Sequence, residues 1–203
     1  MIVDPKATGW LDTYKLLIGA IVPRPIAFVS TLSPQGIPNL APFSFFTGVS
    51  ANPPVICFCP MRRSGALPHK DTLHNITLTR EFVVNVVSEE FAGEMNTTSA
   101  DFPPDVDEFK ASGLTPIPSD LVKPPRVKES HVHLECKLYL LVEVGGMEGS
   151  GNLVLGEVVR FHIDDQYFNN FKIDPAQLRP IGRMGGATYT RTTDRFDMPR
   201  PQN

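Results

Sequence analysis

Cysteine is scarce in this 203-residue chain: there are three, an odd number with no framework spacing. That excludes a small disulfide-stapled module. Cys57 and Cys59 stand two apart in an apparent strand, so they share a face and rarely pair. They read as buried free thiols, and a reducing cytoplasm is the expected location. No apolar run approaches the roughly 18–20 residues of a membrane-spanning helix. The N-terminal segment carries Asp4 and Asp12 and has no signal-like apolar core. Neither a membrane nor a nucleic acid is expected as a partner. The net charge of −3 lacks the basic excess that a polyanion demands. Nor is there a G-x-G-x-x-G, a G-x-S-x-G, an H-E-x-x-H or a Cys–His pairing that would mark a nucleophile. No catalytic side chain is assigned. His131 and His133 share a strand face, and His162 falls on the next strand. Without a recognised ligand pattern, a solvated face is preferred to a metal site, and none is assigned.

Proline, by contrast, is abundant, at 20 residues, and falls between the apolar runs. That placement punctuates strands and stiffens loops. Residues 10–18 predict a short helix. Ile26–Leu32 predicts a strand, Ser33-Pro34-Gln35-Gly36 a turn, and Ile37–Phe46 the returning strand of a hairpin. Val55–Cys59 and Phe82–Val87 are further strands, with helices near Thr72–Thr79 and Glu89–Asn96. Residues 99–130 hold six prolines and few large apolar residues, a long loop of the kind that is functional or lies at an interface. In His131–Val144 every second residue is apolar, predicting one buried and one polar face, and Leu153–Ile163 pairs with it. Six or more strands with few helices point to a mainly β fold, an antiparallel barrel or sandwich, in one domain over residues 1–203.

The densest chemistry lies between Met61 and Ile76. Arg62, Arg63 and Lys70 run into an expected helix start, where Asp71 or Thr72 can act as N-cap and free N–H groups collect. Cations, a hydroxyl and amides at a helix N-terminus suit a phosphate. The alternative is a solvated loop with an ordinary cap. A second stretch, Asn39–Gly48, packs Phe43, Phe45 and Phe46 with Ala41, Pro42 and Ser44. It reads either as a strand with core aromatics or as a bent segment whose amides and Ser44 meet a flat polar ring. Arg24 is either solvated or a third polar contact. A phosphate clamp and a ring-binding segment without an acid/base constellation describe a protein whose cofactor performs the chemistry.

These residues resemble a known family. The runs Pro23–Thr31, Pro38–Phe46, Arg62–Gly65 with Lys70-Asp71-Thr72, Phe82–Val87 and Leu155–Val158 are similar to the flavin reductase-like, FMN-binding split-barrel group, which includes flavoredoxin and ferric reductase. The likeness spans about residues 12–185 and leaves 187–203 as an exposed tail. It implies a split β-barrel homodimer with non-covalent FMN near the subunit interface. It implies that Arg24, Ser30, Thr31, Ala41–Phe46, Arg62, Arg63 and Lys70–Thr72 touch the cofactor. Ala100, in the stretch Met95–Phe102, joins them, from the same subunit or from the other. NAD(P)H is the implied co-substrate, with electrons passing to free flavin, a ferric complex or a redox partner protein. The rivals are an FMN carrier that never meets nicotinamide and a cofactor-free β-barrel binding module.

Overall fold

The computed structural model describes residues 1–65 and 69–201; residues 66–68, inside the expected anion-binding loop, and residues 202 and 203 lie outside the described residues. Helix α1 (Trp10–Ala20) leads into β1 (Ala27–Leu32), β2 (Pro38–Phe43), β3 (Phe46–Ala51) and β4 (Pro54–Phe58). Helix α2 (Asp71–Thr79) and β5 (Glu81–Val86) follow, then α3 (Ala92–Thr97), α4 (Glu108–Ser112) and a two-residue ladder, β6 (Pro116–Ile117) with β7 (Arg126–Val127). The long strands β8 (Val132–Val144) and β9 (Gly151–Ile163) complete the main sheet.

That sheet has seven antiparallel strands in the order β2-β1-β5-β8-β9-β4-β3. Its two outermost strands, β2 and β3, are consecutive in the chain, with only Ser44 and Phe45 between them. Covalent continuity therefore brings opposite edges together and curls the sheet into a barrel, with a gap where the two edges meet without a ladder among the described residues. The fold is a split barrel. The expected strand Ile37–Phe46 is thus two strands, broken at Ser44-Phe45, because the chain changes edge there.

The barrel interior holds Val29, Phe43, Phe58, Phe82, Val84, Cys136 and Val154, with Leu73 and Ile76 of α2 closing one end. A second cluster on the outer face joins Phe28 and Leu40 to Phe91, Met95, Phe109, Leu114 and Val127. Strand β1 is consequently buried on both faces, which accounts for its unbroken apolar reading. Residues 99–130 are less of a loop than their prolines suggest: they supply α4, the small ladder, and buried Phe109, Leu114, Val122 and Val127.

Strand β8 departs from its expected alternation at both ends. Its first five residues are buried on both faces, because the polar side lies under the 119–122 turn: Glu135 Oε1 and Oε2 accept the N–H groups of Asp120 and Leu121 at 2.8 and 2.7 Å. The histidine face is therefore not solvated. His133 is buried against Asn85 at 2.9 Å, and His162 reaches Glu135 at 2.6 Å. Past a register shift at Leu138/Leu140, Leu140, Val142 and Val144 are exposed. The cysteines are free; Cys57 and Cys59 are half-buried and Cys136 is buried, where burial raises each thiol pKa. The C-terminal tail is not exposed from its start: Tyr189–Arg191 pairs with Ile181–Arg183 before the chain becomes irregular.

Candidate active site

Edge strand β2 organises the site. The Leu40 N–H turns away from β1 and donates to Glu108 Oε2 at 3.1 Å. Two residues on, Pro42 occupies an outward position that needs no donor, and two further Ser44 follows in the same phase. Two cavities lie end to end along this edge and share Pro42 and Ser99. From Asn39 to Ser44 the strand rises about 16 Å, at roughly 3.3 Å per residue.

The first cavity, of about 150 Å³, is lined by Ala41, Arg63, Lys70, Asp71, Thr72, Ala100 and Glu108 among others. Residue Lys70 is the N-cap of α2, with extended backbone and no side-chain cap bond. Asp71 and Thr72, expected as caps, are instead the first two helical residues, and their N–H groups meet no acceptor among the described residues. Burial, followed by repulsion from the Arg63 guanidinium, holds the Lys70 pKa below its ordinary value. Arg63 Nη2 pairs with Asp101 at 3.0 Å, and its buried Nε has no partner among the described residues. The Thr72 hydroxyl is committed to Asn39. Hydrogen bonding orients the Asn39 amide so that its oxygen accepts from Thr72 at 2.9 Å and its nitrogen donates to Glu108 Oε1 at 3.2 Å. What Thr72 offers an anion is its backbone N–H.

The second cavity, of about 210 Å³, is walled by Tyr14 and Ile18 of α1, by Pro42, Ser44, Asn96 and Ser99, and by the hairpin residues Arg183 and Tyr189. The Arg183 guanidinium lies 4.4 Å from the Tyr189 ring centroid, and the Tyr189 hydroxyl donates to Asn96 at 3.2 Å. Arg24 lies at the base. It donates to the carbonyls of Ile18, Ile21 and Met184 at 2.7, 2.8 and 2.9 Å and to Ser44 Oγ at 3.3 Å. Four of its five N–H groups are thus spent on the protein, and desolvation lowers its pKa.

The expected cofactor residues divide accordingly. Ala41, Pro42, Ser44, Arg63, Lys70, Asp71, Thr72 and Ala100 border the two cavities, as does Arg24. Phe43 is core, 5.1 Å from Phe58 between ring centroids, and Phe46 packs against the same interior. Phe45 faces Tyr14 at 6.4 Å and borders a separate groove beside α1. Ser30 donates to the Pro125 carbonyl, Thr31 accepts from Asn75 at 3.0 Å, and Arg62 reaches His69 at 2.7 Å; none of the three lines either cavity. Asn96 belongs to the Met95–Phe102 stretch expected near the cofactor, whereas Glu108, Arg183 and Tyr189 were not anticipated. Glu108 sits in what reads as loop, Arg183 near the end of the expected core, and Tyr189 in what reads as tail.

A split barrel with a pocket of cations and free amides and a polar slot along one strand edge is the frame of a class of flavin-related redox proteins built on a β scaffold. Residues 19–177 match the flavin reductase like domain, and the chain belongs to that family. A protein of Aquifex aeolicus is 45% identical over 187 residues, covering 92% of this chain and 93% of its own. Among solved structures, component B of nitrilotriacetate monooxygenase from Bacillus cereus superposes with a TM-score of 0.93 at 36% identity, covering 98% of each chain. The 2-nitrobenzoate 2-nitroreductase NbaA of Pseudomonas fluorescens gives 0.88 at 31% identity, over 99% of this chain and 96% of its own.

Proposed function

We propose that the protein is an NAD(P)H-dependent FMN reductase. Its flavin phosphate would be seated in the cavity at the start of α2 and its ring in the cavity beside Ser44. The observation that carries this reading is the continuity of the two cavities along β2, with Lys70, Arg63 and two free helix N–H groups gathered at one end only. The donor set fits a phosphomonoester better than a neutral alcohol, since it concentrates cations and amides where no carboxylate among the described residues pairs with Lys70.

A flavin held here would supply two-electron redox chemistry, with nicotinamide as the hydride donor. The chain's own part is to bind, orient and shield. Lys70, Arg63 and the Asp71 and Thr72 amides hold the anion. Ser44 and its N–H present polar contacts to a flat ring, while Pro42 supplies an apolar edge. The Arg183–Tyr189 hairpin covers the far side and limits water. Because, among the described residues, no titratable side chain other than Tyr14, Arg24, Arg183 and Tyr189 lines the ring end, no proton relay is assigned there.

Component B of a monooxygenase among the neighbours supports delivery of electrons to a second component or to free flavin. We also propose a homodimer, supported by the exposed apolar side chains of Leu16 and Leu17 on α1 and of Leu140, Val142 and Val144 on β8. The cytoplasm is the proposed compartment; among the described residues no helix is long and apolar enough to cross a membrane.

The test is anaerobic stopped-flow mixing of FMN-loaded protein with NADH and, separately, NADPH. Bleaching of the flavin band by one of them is expected. A band that persists with both donors rejects the reductase and leaves an electron carrier. Failure to bind FMN at all rejects both.

A further inference from the structure

The phosphate end holds a group that an anion site has no obvious use for. The Glu108 carboxyl is only 7% exposed and lines the same cavity as Lys70, Arg63 and Thr72. It is fixed, not free to swing out: Oε2 accepts from the Leu40 N–H at 3.1 Å and Oε1 from the Asn39 amide at 3.2 Å. The charges around it come from three elements. On α4 itself Asp107 caps the helix and pairs with Lys110 at 3.5 Å. From the start of α2 come Lys70 and Asp71, and from the chain after β4 comes Arg63, paired with Asp101. With Glu108 ionised, the cavity and its pair partner set three carboxylates (Asp71, Asp101, Glu108) against two cations (Lys70, Arg63). A phosphate dianion added to that balance would face a buried negative charge at hydrogen-bonding range of its own binding residues, where low dielectric amplifies repulsion.

We propose that Glu108 binds the flavin phosphate as a neutral carboxylic acid, so that the anion and one proton from the solvent enter the site together. The proposal rests on the phosphate assignment above and extends it. A protonated carboxyl gains an O–H donor while still accepting from Leu40 and Asn39, and a phosphate oxygen in the same cavity is the acceptor it lacks. Burial, reinforced by Asp71 and Asp107, already raises the Glu108 pKa to about 7, and a bound dianion raises it further. At neutral pH the empty site is therefore divided between two protonation states, and the phosphorylated ligand selects one.

The experiment compares FMN with riboflavin by fluorescence quenching between about pH 7 and 9, above the phosphate's own second ionisation near pH 6. The wild type is expected to lose FMN affinity as pH rises, approaching tenfold per unit once Glu108 ionises in the free protein, while riboflavin affinity stays level. Calorimetry of FMN binding at pH 8, in buffers of different ionisation heat, is expected to show uptake of close to one proton. Glu108→Gln, which keeps the shape and supplies N–H donors, is expected to flatten the FMN profile and abolish the uptake. An FMN preference that is constant from pH 7 to 9, with no proton taken up by the wild type, overturns the proposal and leaves the phosphate site standing. Equal affinity for FMN and riboflavin at every pH removes the phosphate site and the proposal with it. A level wild-type profile overturns the proposal even if the variant does not fold, and the loss of the profile in Glu108→Gln is what assigns it to Glu108 and not to Lys70.

Discussion

Arg24 Nη1 donates to the Ile18 carbonyl at 2.7 Å, and that bond fastens the last turn of α1 to the start of β1. The same guanidinium reaches Ile21 and, 160 residues away in sequence, Met184. One buried cation thus joins the N-terminal helix, the first strand and the C-terminal hairpin around the cavity beside Ser44.

Arg24→Met keeps the length and apolar stem but leaves three carbonyls without their donor. The expected cost is about 3 kcal/mol, the usual scale for breaking a buried charged network. Urea unfolding measures it. Flavin affinity should fall too, because the wall formed by α1 and the hairpin loosens. A variant that unfolds at the wild-type urea midpoint yet loses flavin would instead make Arg24 a direct ligand contact.

Two buried groups titrate with opposite sign. Burial lowers the His133 pKa to about 4, so the unfolded chain binds this proton more readily than the folded one. Its stabilising contribution is present above about pH 6.5 and is lost as pH falls toward 4. Glu108 is raised to about 7, so its contribution is full below about pH 4.5 and is lost as pH rises through 7. Each shift amounts to about 3 kcal/mol at roughly 1.4 kcal/mol per unit. Between about pH 4.5 and 6.5 they oppose each other. Glu108→Gln should therefore be more stable than wild type at pH 8, match it near pH 5, and show a steeper loss with acid. Chemical unfolding of both proteins at four pH values checks this convergence; parallel curves would mean that Glu108 ionises normally.

Much of the fold was legible because its signals are local. Strands β1, β4, β5 and β9 and helices α1 and α2 follow from apolar runs bounded by Pro and Gly. Features set by distant partners were not. The break at Ser44-Phe45 comes from opposite sheet edges meeting, which no ten-residue window records. The polar side of β8 is buried because Glu135 and His133 find acceptors and donors from other elements. The grouping of Lys70 and Arg63 at the start of α2 could be read from the sequence, since charge density at a helix start is a sequence property. Glu108 could not, because a carboxylate in a proline-rich segment looks solvated until α4 packs Phe109 inward.

The exposed apolar row on β8 carries its own expectation. Leu140, Val142 and Val144 alternate along one face and are 49%, 40% and 60% exposed in the single chain. A second copy covering that face would bury them. Leu140→Glu combined with Val142→Glu should shift the mass in sedimentation or light scattering from dimer to monomer, with little change in far-ultraviolet dichroism. A wild-type protein that is already monomeric at micromolar concentration would rule this interface out.

Lys70 is the one cation of the proposed phosphate end without a carboxylate partner among the described residues, and its pKa is depressed by burial and by Arg63. An unpaired, desolvated ammonium is unfavourable until an anion arrives, and much of that strain is relieved on binding. Lys70→Ala should therefore weaken FMN by at least tenfold, the scale of one charge-assisted contact of about 1.5–3 kcal/mol, and leave riboflavin within twofold. The empty protein should be unaffected or slightly more stable, since a buried charge has been removed. Fluorescence titrations with both ligands, together with urea unfolding of the empty protein, separate the outcomes. Equal weakening of FMN and riboflavin, accompanied by a lower unfolding midpoint, would assign Lys70 to the fold of the α2 start and remove it from the binding of phosphate.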